Sequence, residues 1–150
     1  STWNQERLDA FLEDPLEGLV RIERRMDYFS RQLEDTYELY EESREEQLRL
    51  RQEISRLRET GDESAVEAFR TDNLVPVSER TATLVLNYRY YALSALSMRR
   101  FVIGKLYMQM KTRYIGDLSN PVYAGFLRLY NAILAEYEDS VVPRLTEADI

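Results

Sequence analysis

Leu19, Ile22, Met26, Phe29, Leu33, Tyr37 and Tyr40 recur at spacings of three and four, and no proline or glycine interrupts them. Such spacing returns each residue to one side of an α-helix, so the run predicts a helix with one continuous apolar seam. Asp14 followed by Pro15 supplies its start, an acidic cap with proline at the first helical position. The seam stops at EESREEQ, residues 41–47, and resumes as Leu50, Ile54 and Leu57 on a face rotated from the first. There the helix either projects from the body or bends.

Five glycines and four prolines in 150 residues outline a few long helices and not many strands. Thr60-Gly61-Asp62 ends the first long helix, SAVEAFR (64–70) reads as a short one, and NLVPVSERT (73–81) reads as a connection with Ser78 as a cap. Thr81 to Tyr114 reads as a second long helix closed by Gly116, and Asn120-Pro121 opens a last amphipathic helix from Val122 to about Tyr137. The second long helix is apolar on nearly every side and is expected to be the most buried element. The expected fold is all-α, long helices forming an antiparallel bundle with a projecting amino-terminal arm. Residues 1–75 form the acidic, arginine-rich arm and residues 76–150 a core around a basic central helix, the whole being one structural unit.

Chemistry is narrowly bounded. The chain has no histidine and no cysteine, which removes the usual general base, the commonest metal ligand, thiolate catalysis and disulfides. Glu34 with Glu38, Glu38 with Glu42, and Glu41 with Glu45 are i,i+4 pairs of the kind a helical metal site uses, but the di-metal pattern also wants Glu-x-x-His. Glycine-rich phosphate loops, nucleophile elbows and zinc signatures are absent from the sequence. No catalytic residue, metal or cofactor is expected. The amino end, STWNQERLDAF, lacks a basic region followed by an apolar run, so no signal peptide is read and the chain begins as if mature. Thr81 to Ile115, the most apolar stretch, is broken by Arg89, Arg99, Arg100 and Lys105, well short of the roughly 20 apolar residues of a membrane helix. A soluble protein, or one buried in an assembly, is expected.

The net charge of −7 hides a strong segregation. Residues 1–75 carry 20 acids against 11 bases, residues 117–150 carry six against two, and residues 76–116 hold Glu79 alone against seven bases. Arginine outnumbers lysine 18 to 2. That bias fits bidentate phosphate recognition, and it fits a GC-rich, thermophilic or halophilic source equally well. The basic middle has two readings. It pairs with the acidic segments, within or between subunits, or it meets a polyanion. Arg89, Arg100 and Lys111 lie 11 residues apart, about three helical turns, and so share a face on a regular helix. Tyr88, Tyr90, Tyr91, Tyr107 and Tyr114 interleave with them, as core residues with a polar tip or as donors to phosphate. RLRQEISRLR, residues 49–58, sets Arg49, Arg51, Arg56 and Arg58 against Glu53 alone. Arg44, Arg51 and Arg58 form one row at spacing seven, while Arg24 and Arg31 fall near the angle of Arg49 and Arg56. Glutamates interrupt the rows before residue 47, the mark of a solvated, salt-bridged face. Over 49–58 a polyanion is the competing reading, provided an array presents many copies along one polymer.

YIGDLSNPVYAGFLRLYNAIL (114–134), preceded by NYRYYALSALSMRRFVIGKLY (87–107), resembles the region of major coat proteins of filamentous archaeal viruses where a tyrosine-bearing helix ends, a short loop reaches Asn-Pro, and a last helix begins. The resemblance covers about a third of the chain. It implies helical subunits that pair with themselves or a homologous coat subunit and wrap double-stranded DNA into a filament, amino-terminal helices gripping the duplex. The acidic amino-terminal part departs from that pattern and would call for a more basic partner subunit. The expectation is therefore a structural, non-enzymatic coat subunit of a virion, with its polar ends tied down by neighbours. It would bind phosphates through Arg49, Arg51, Arg56, Arg58, Arg89, Arg100 and Lys111, with no small-molecule substrate and no membrane-spanning segment. The alternative is a cytoplasmic coiled-coil adaptor or scaffold without nucleic acid. An acidic mimic of nucleic acid fits the net charge but not the basic middle.

Overall fold

The computed structural model describes residues 3–138, and every regular element over them is helical. These are α1 (Gln5–Glu13), α2 (Pro15–Glu59), α3 (Glu63–Phe69), α4 (Val75–Phe101), α5 (Tyr107–Tyr114) and α6 (Pro121–Glu138). A π turn at Arg70–Leu74 joins α3 to α4, and another at Val102–Leu106 joins α4 to α5. The chain is all-α. Residues 1, 2 and 139–150, the polar ends expected to be tied down, lie outside the described residues. By packing, the described chain divides into two compact units, residues 3–31 with 91–138 and residues 32–90. Both units draw on residues from either side of position 75, and α2 and α4 contribute to each.

α2 is one unbroken helix of 45 residues. Asp14 accepts a hydrogen bond from the Glu17 amide, so the acidic cap and Pro15 start it as the sequence predicts. Thr60 and Gly61 end it, Gly61 with a φ of 79° that suits a residue without a Cβ. Asp62 caps α3 by accepting from the Ala65 amide. The connection expected at 73–81 is instead helical: α4 begins at Val75, straight out of the π turn, and Ser78 is a helix residue and not a cap. Pro76 explains the irregularity. It has no amide hydrogen to give a preceding turn and its ring crowds the carbonyl before it, and the wider π turn just upstream takes up that misfit.

In the first unit the core is a stripe along the chain from α4 into α5: Ala95, Met98, Val102, Leu106 and Met110, all with no exposed surface. The last four are spaced by four. On a regular α-helix such a row winds off the face by about 40° per step, or about 120° over three steps. A π turn absorbs one residue, which brings the drift down to about 20° and keeps Met110 in line with Met98. Against this stripe pack Phe126, Leu129 and Ile133 of α6, Leu19, Ile22 and Phe29 of α2, and Leu8 and Phe11 of α1. Each large side chain so buried contributes roughly 1.5–3 kcal/mol. α1 has no counterpart in the sequence reading, because its nine residues are too few to display a seam. Asn4 caps it by accepting from the Arg7 amide.

The second unit has a smaller apolar cluster, Ile54, Val66 and Leu74 with Leu50, Leu57 and Phe69 around it. Its α2 and α4 segments also meet through a polar layer. The buried hydroxyls of Ser43 and Thr81 lie 2.7 Å apart, the Gln47 amide donates to the Ser78 hydroxyl at 3.0 Å, and Arg80 pairs with Glu46.

Gly18 tests the first unit's packing. It is buried on α2 beneath the Phe11 ring, and a Cβ there would overlap that ring. Gly18→Ala should gain up to about 1 kcal/mol of helix propensity and lose about 1–3 kcal/mol to overpacking. A net fall in thermal midpoint by circular dichroism is expected, and a rise would mean that α1 does not pack there.

Candidate nucleic-acid interface

RLRQEISRLR lies entirely within α2, and all four of its arginines are exposed. Leu50, Ile54 and Leu57 turn inward to the second unit's apolar cluster. The arginines therefore flank that stripe in two rows. Arg51 and Arg58, continued by Arg44, stand on one side; Arg49 and Arg56 stand about 160° away around the helix axis. Glu53 pairs with Arg56 at 3.1 Å, so the second row is partly neutralised. Arg51 and Arg58 make no ion pair among the described residues. Arg51 and Arg44 line one cleft of about 490 Å³ with Tyr40, Gln47, Leu48 and Leu86. Arg44 donates to the Tyr40 hydroxyl at 2.7 Å. Nearby, a hydrogen bond to the Glu41 carboxylate holds the Tyr37 hydroxyl above its ordinary pKa, so Tyr37 stays a protonated donor. Arg89 is exposed on α4 in the second unit.

Arg100 and Lys111 belong to the first unit, and the π turn at Val102–Leu106 lies between them. An uninterrupted helix would set them about 20° apart, whereas the absorbed residue turns Lys111 about 80° off that line. The Lys111 ammonium sits 5.9 Å over the Tyr107 ring. Arg100 instead shares a groove with Lys105, Trp3, Phe101 and Leu93. On the other side of Trp3 and Phe101 lies a wider groove bearing Arg7, Arg21, Arg24 and Arg25. The structure thus groups cations from α1, α2 and α4 around Trp3. Sequence spacing gave no sign of this, since the three stretches are far apart in the chain and α1 was not foreseen.

The basic middle segment also serves the fold. Arg99 pairs with Glu136 of α6 at 2.7 Å with its side chain only 11% exposed, and Arg80 pairs with Glu46 of α2. Both are contacts of the basic segment with the acidic ones, each inside one unit. Among the described residues Arg89, Arg100, Lys105 and Arg113 make no ion pair. The tyrosines divide similarly. Tyr107 stacks on Tyr130 with centroids 5.0 Å apart, Tyr114 packs on Tyr123, Tyr91 on Tyr28, and Tyr88 is buried against Tyr37. Only Tyr90 of the five is exposed.

Among the described residues no group of acidic side chains could hold a metal ion, and no helix is long and apolar enough to cross a membrane. The chain matches no family model, no curated protein and no solved structure.

Two adjacent arginines separate folding from surface charge. Arg99→Ala leaves a half-buried Glu136 carboxylate without its partner and should cost about 1–3 kcal/mol. Arg100→Ala, on an exposed site, should stay within about 0.5 kcal/mol. Thermal melts of the two variants should differ by several degrees, and equal midpoints would refute this division of roles.

Proposed function

We propose that this chain is a structural, non-enzymatic subunit of a helical filament that holds double-stranded nucleic acid, a coat protein similar in kind to those of filamentous archaeal viruses. The observation that carries the reading is the division among the basic residues. Arg80 and Arg99 pair with carboxylates of their own unit, Arg99 nearly buried, while Arg49, Arg51, Arg58, Arg89 and Arg100 are exposed and make no ion pair among the described residues. Guanidinium groups left in that state suit bidentate contacts to phosphate oxygens.

A second observation supports assembly. Leu86, Tyr90 and Leu93 follow one another at spacings of four and three along α4 and are 62%, 60% and 55% exposed. The central helix is thus fully buried along one stripe only, and its apolar remainder suits contact with other copies. The competing reading is an acidic adaptor without nucleic acid. What favours it is the net charge of −7, which opposes the approach of a polyanion to a single subunit.

Electron microscopy of native material treated with nuclease decides between them, a regular protected filament being the expected result. In vitro, subunit association driven by apolar surface should survive rising salt, whereas duplex binding should weaken steeply, by about 0.9 log units per log of salt for each phosphate contact. Arg51→Glu with Arg58→Glu should weaken duplex binding roughly tenfold or more at low salt with helix content unchanged. A chain that stays monomeric by light scattering at every salt concentration points to the adaptor.

A further inference from the structure

We propose that the first unit carries a binding groove for a small single-chain amphiphilic anion, an aliphatic body ending in a carboxylate or phosphate monoester. The groove encloses about 550 Å³, inside the usual range of roughly 300–1,000 Å³ for small-ligand sites. Its buried floor is apolar: Phe11, Gly18, Ile22 and Phe101. Gly18 lets the Phe11 ring lie directly on the α2 backbone at the floor, since any Cβ at that position would overlap the ring. Trp3 and the half-exposed Tyr28 stand at the walls.

Four arginines line the same groove, and among the described residues no aspartate or glutamate does. Three of them have partners, one within the groove wall and two outside it. The Arg7 guanidinium lies 4.4 Å over the Trp3 ring, Arg25 lies 5.3 Å over Phe29, and Arg21 reaches Glu17 at 3.5 Å. Arg24 makes no ion pair among the described residues. Cations fixed over an apolar floor attract a negative head and leave the floor to an apolar tail. Among the described residues the lining offers no amide side chain and no hydroxyl except that of Tyr28, which leaves little there with which to read the edge of a nucleobase. That favours an aliphatic anion over a nucleotide. The site is independent of the filament reading.

Trp3 is the only tryptophan in the chain, so its emission reports the groove directly. Titration of the full chain with monomeric laurate and with dodecyl phosphate, without nucleic acid, should give a saturable change at one molecule per chain. The two arms show whether carboxylate or phosphate is the preferred head, and saturable binding of either supports the site. Dodecyltrimethylammonium, with the same tail and the opposite charge, should bind at least tenfold more weakly, and inorganic phosphate should give no saturable change. Ala10→Glu places a carboxylate at an exposed lining position of α1, and Arg21→Ala with Arg24→Ala removes two exposed cations; each should weaken laurate at least tenfold with circular dichroism unchanged. Equal binding of the cationic amphiphile, adenosine monophosphate binding as tightly as laurate, or unaltered affinity in both variants would overturn the proposal. Because no nucleic acid is present, failure here leaves the filament reading standing, and failure of a filament to form leaves the groove testable.

Discussion

The four-residue spacing of apolar side chains in the second half of the chain is the constraint on which the rest of the first unit depends. A row at that spacing cannot stay on one face of a regular helix, because each step overshoots a turn by about 40°. The π turn at Val102–Leu106 removes the overshoot, and Met98, Val102, Leu106 and Met110 become one straight, fully buried stripe. Val66 and Leu74, eight residues apart across the other π turn, enter one cluster by the same device. Neither irregularity is a defect of the helix. Each is what lets a row of this period be buried at all, with the wider and weaker hydrogen bonding offset by apolar burial.

Surface chemistry is set by the same device. Correcting the register for the core necessarily changes it for the opposite side, so residues placed 11 apart to share a face no longer do so once a π turn lies between them. Lys111 leaves the line of Arg100 and stands over Tyr107, while Arg100 joins Lys105 beside Trp3. Likewise, the inward turn of Leu50, Ile54 and Leu57 splits four consecutive arginines into two rows on opposite flanks of α2. The core decides which charges become neighbours, and linear proximity does not.

How much of this was legible follows from those two points. Periodicity and punctuation carried the all-α class, the start of α2 at Asp14-Pro15, its end at Thr60-Gly61, and the last helix opened by Asn120, whose side chain accepts from the Val122 amide at 2.9 Å; they left open whether α2 bends at 41–47, where it runs unbroken. Pro76 misled, because a proline reads as a break when the chain beyond it is taken to be regular, and here the π turn lets the helix continue. α1 escaped because two buried residues make no pattern. The grouping around Trp3 was not legible at all, since it depends on helices brought together by packing. A cue to the π turn did exist: the spacing-of-four run Met98, Val102, Leu106, Met110 exceeds what a 3.6-residue period can hold on one face.

The charge distribution bears on how such a chain could serve a polymer. With a net charge of −7, a lone subunit gains little from approaching a polyanion, and two exposed arginines in a row, Arg51 and Arg58, are too few to overcome that. Fields from distant carboxylates are screened within about 8–10 Å at moderate ionic strength, however, while a guanidinium in contact with phosphate is not. Repeating the same short row along a polymer multiplies the contact energy with each copy, and the screened repulsion grows far more slowly. On the filament reading proposed above, exposed Leu86, Tyr90 and Leu93 would bring copies side by side before any polymer is present. Assembly would then come first, through apolar contact, and create the cationic array that the isolated chain lacks.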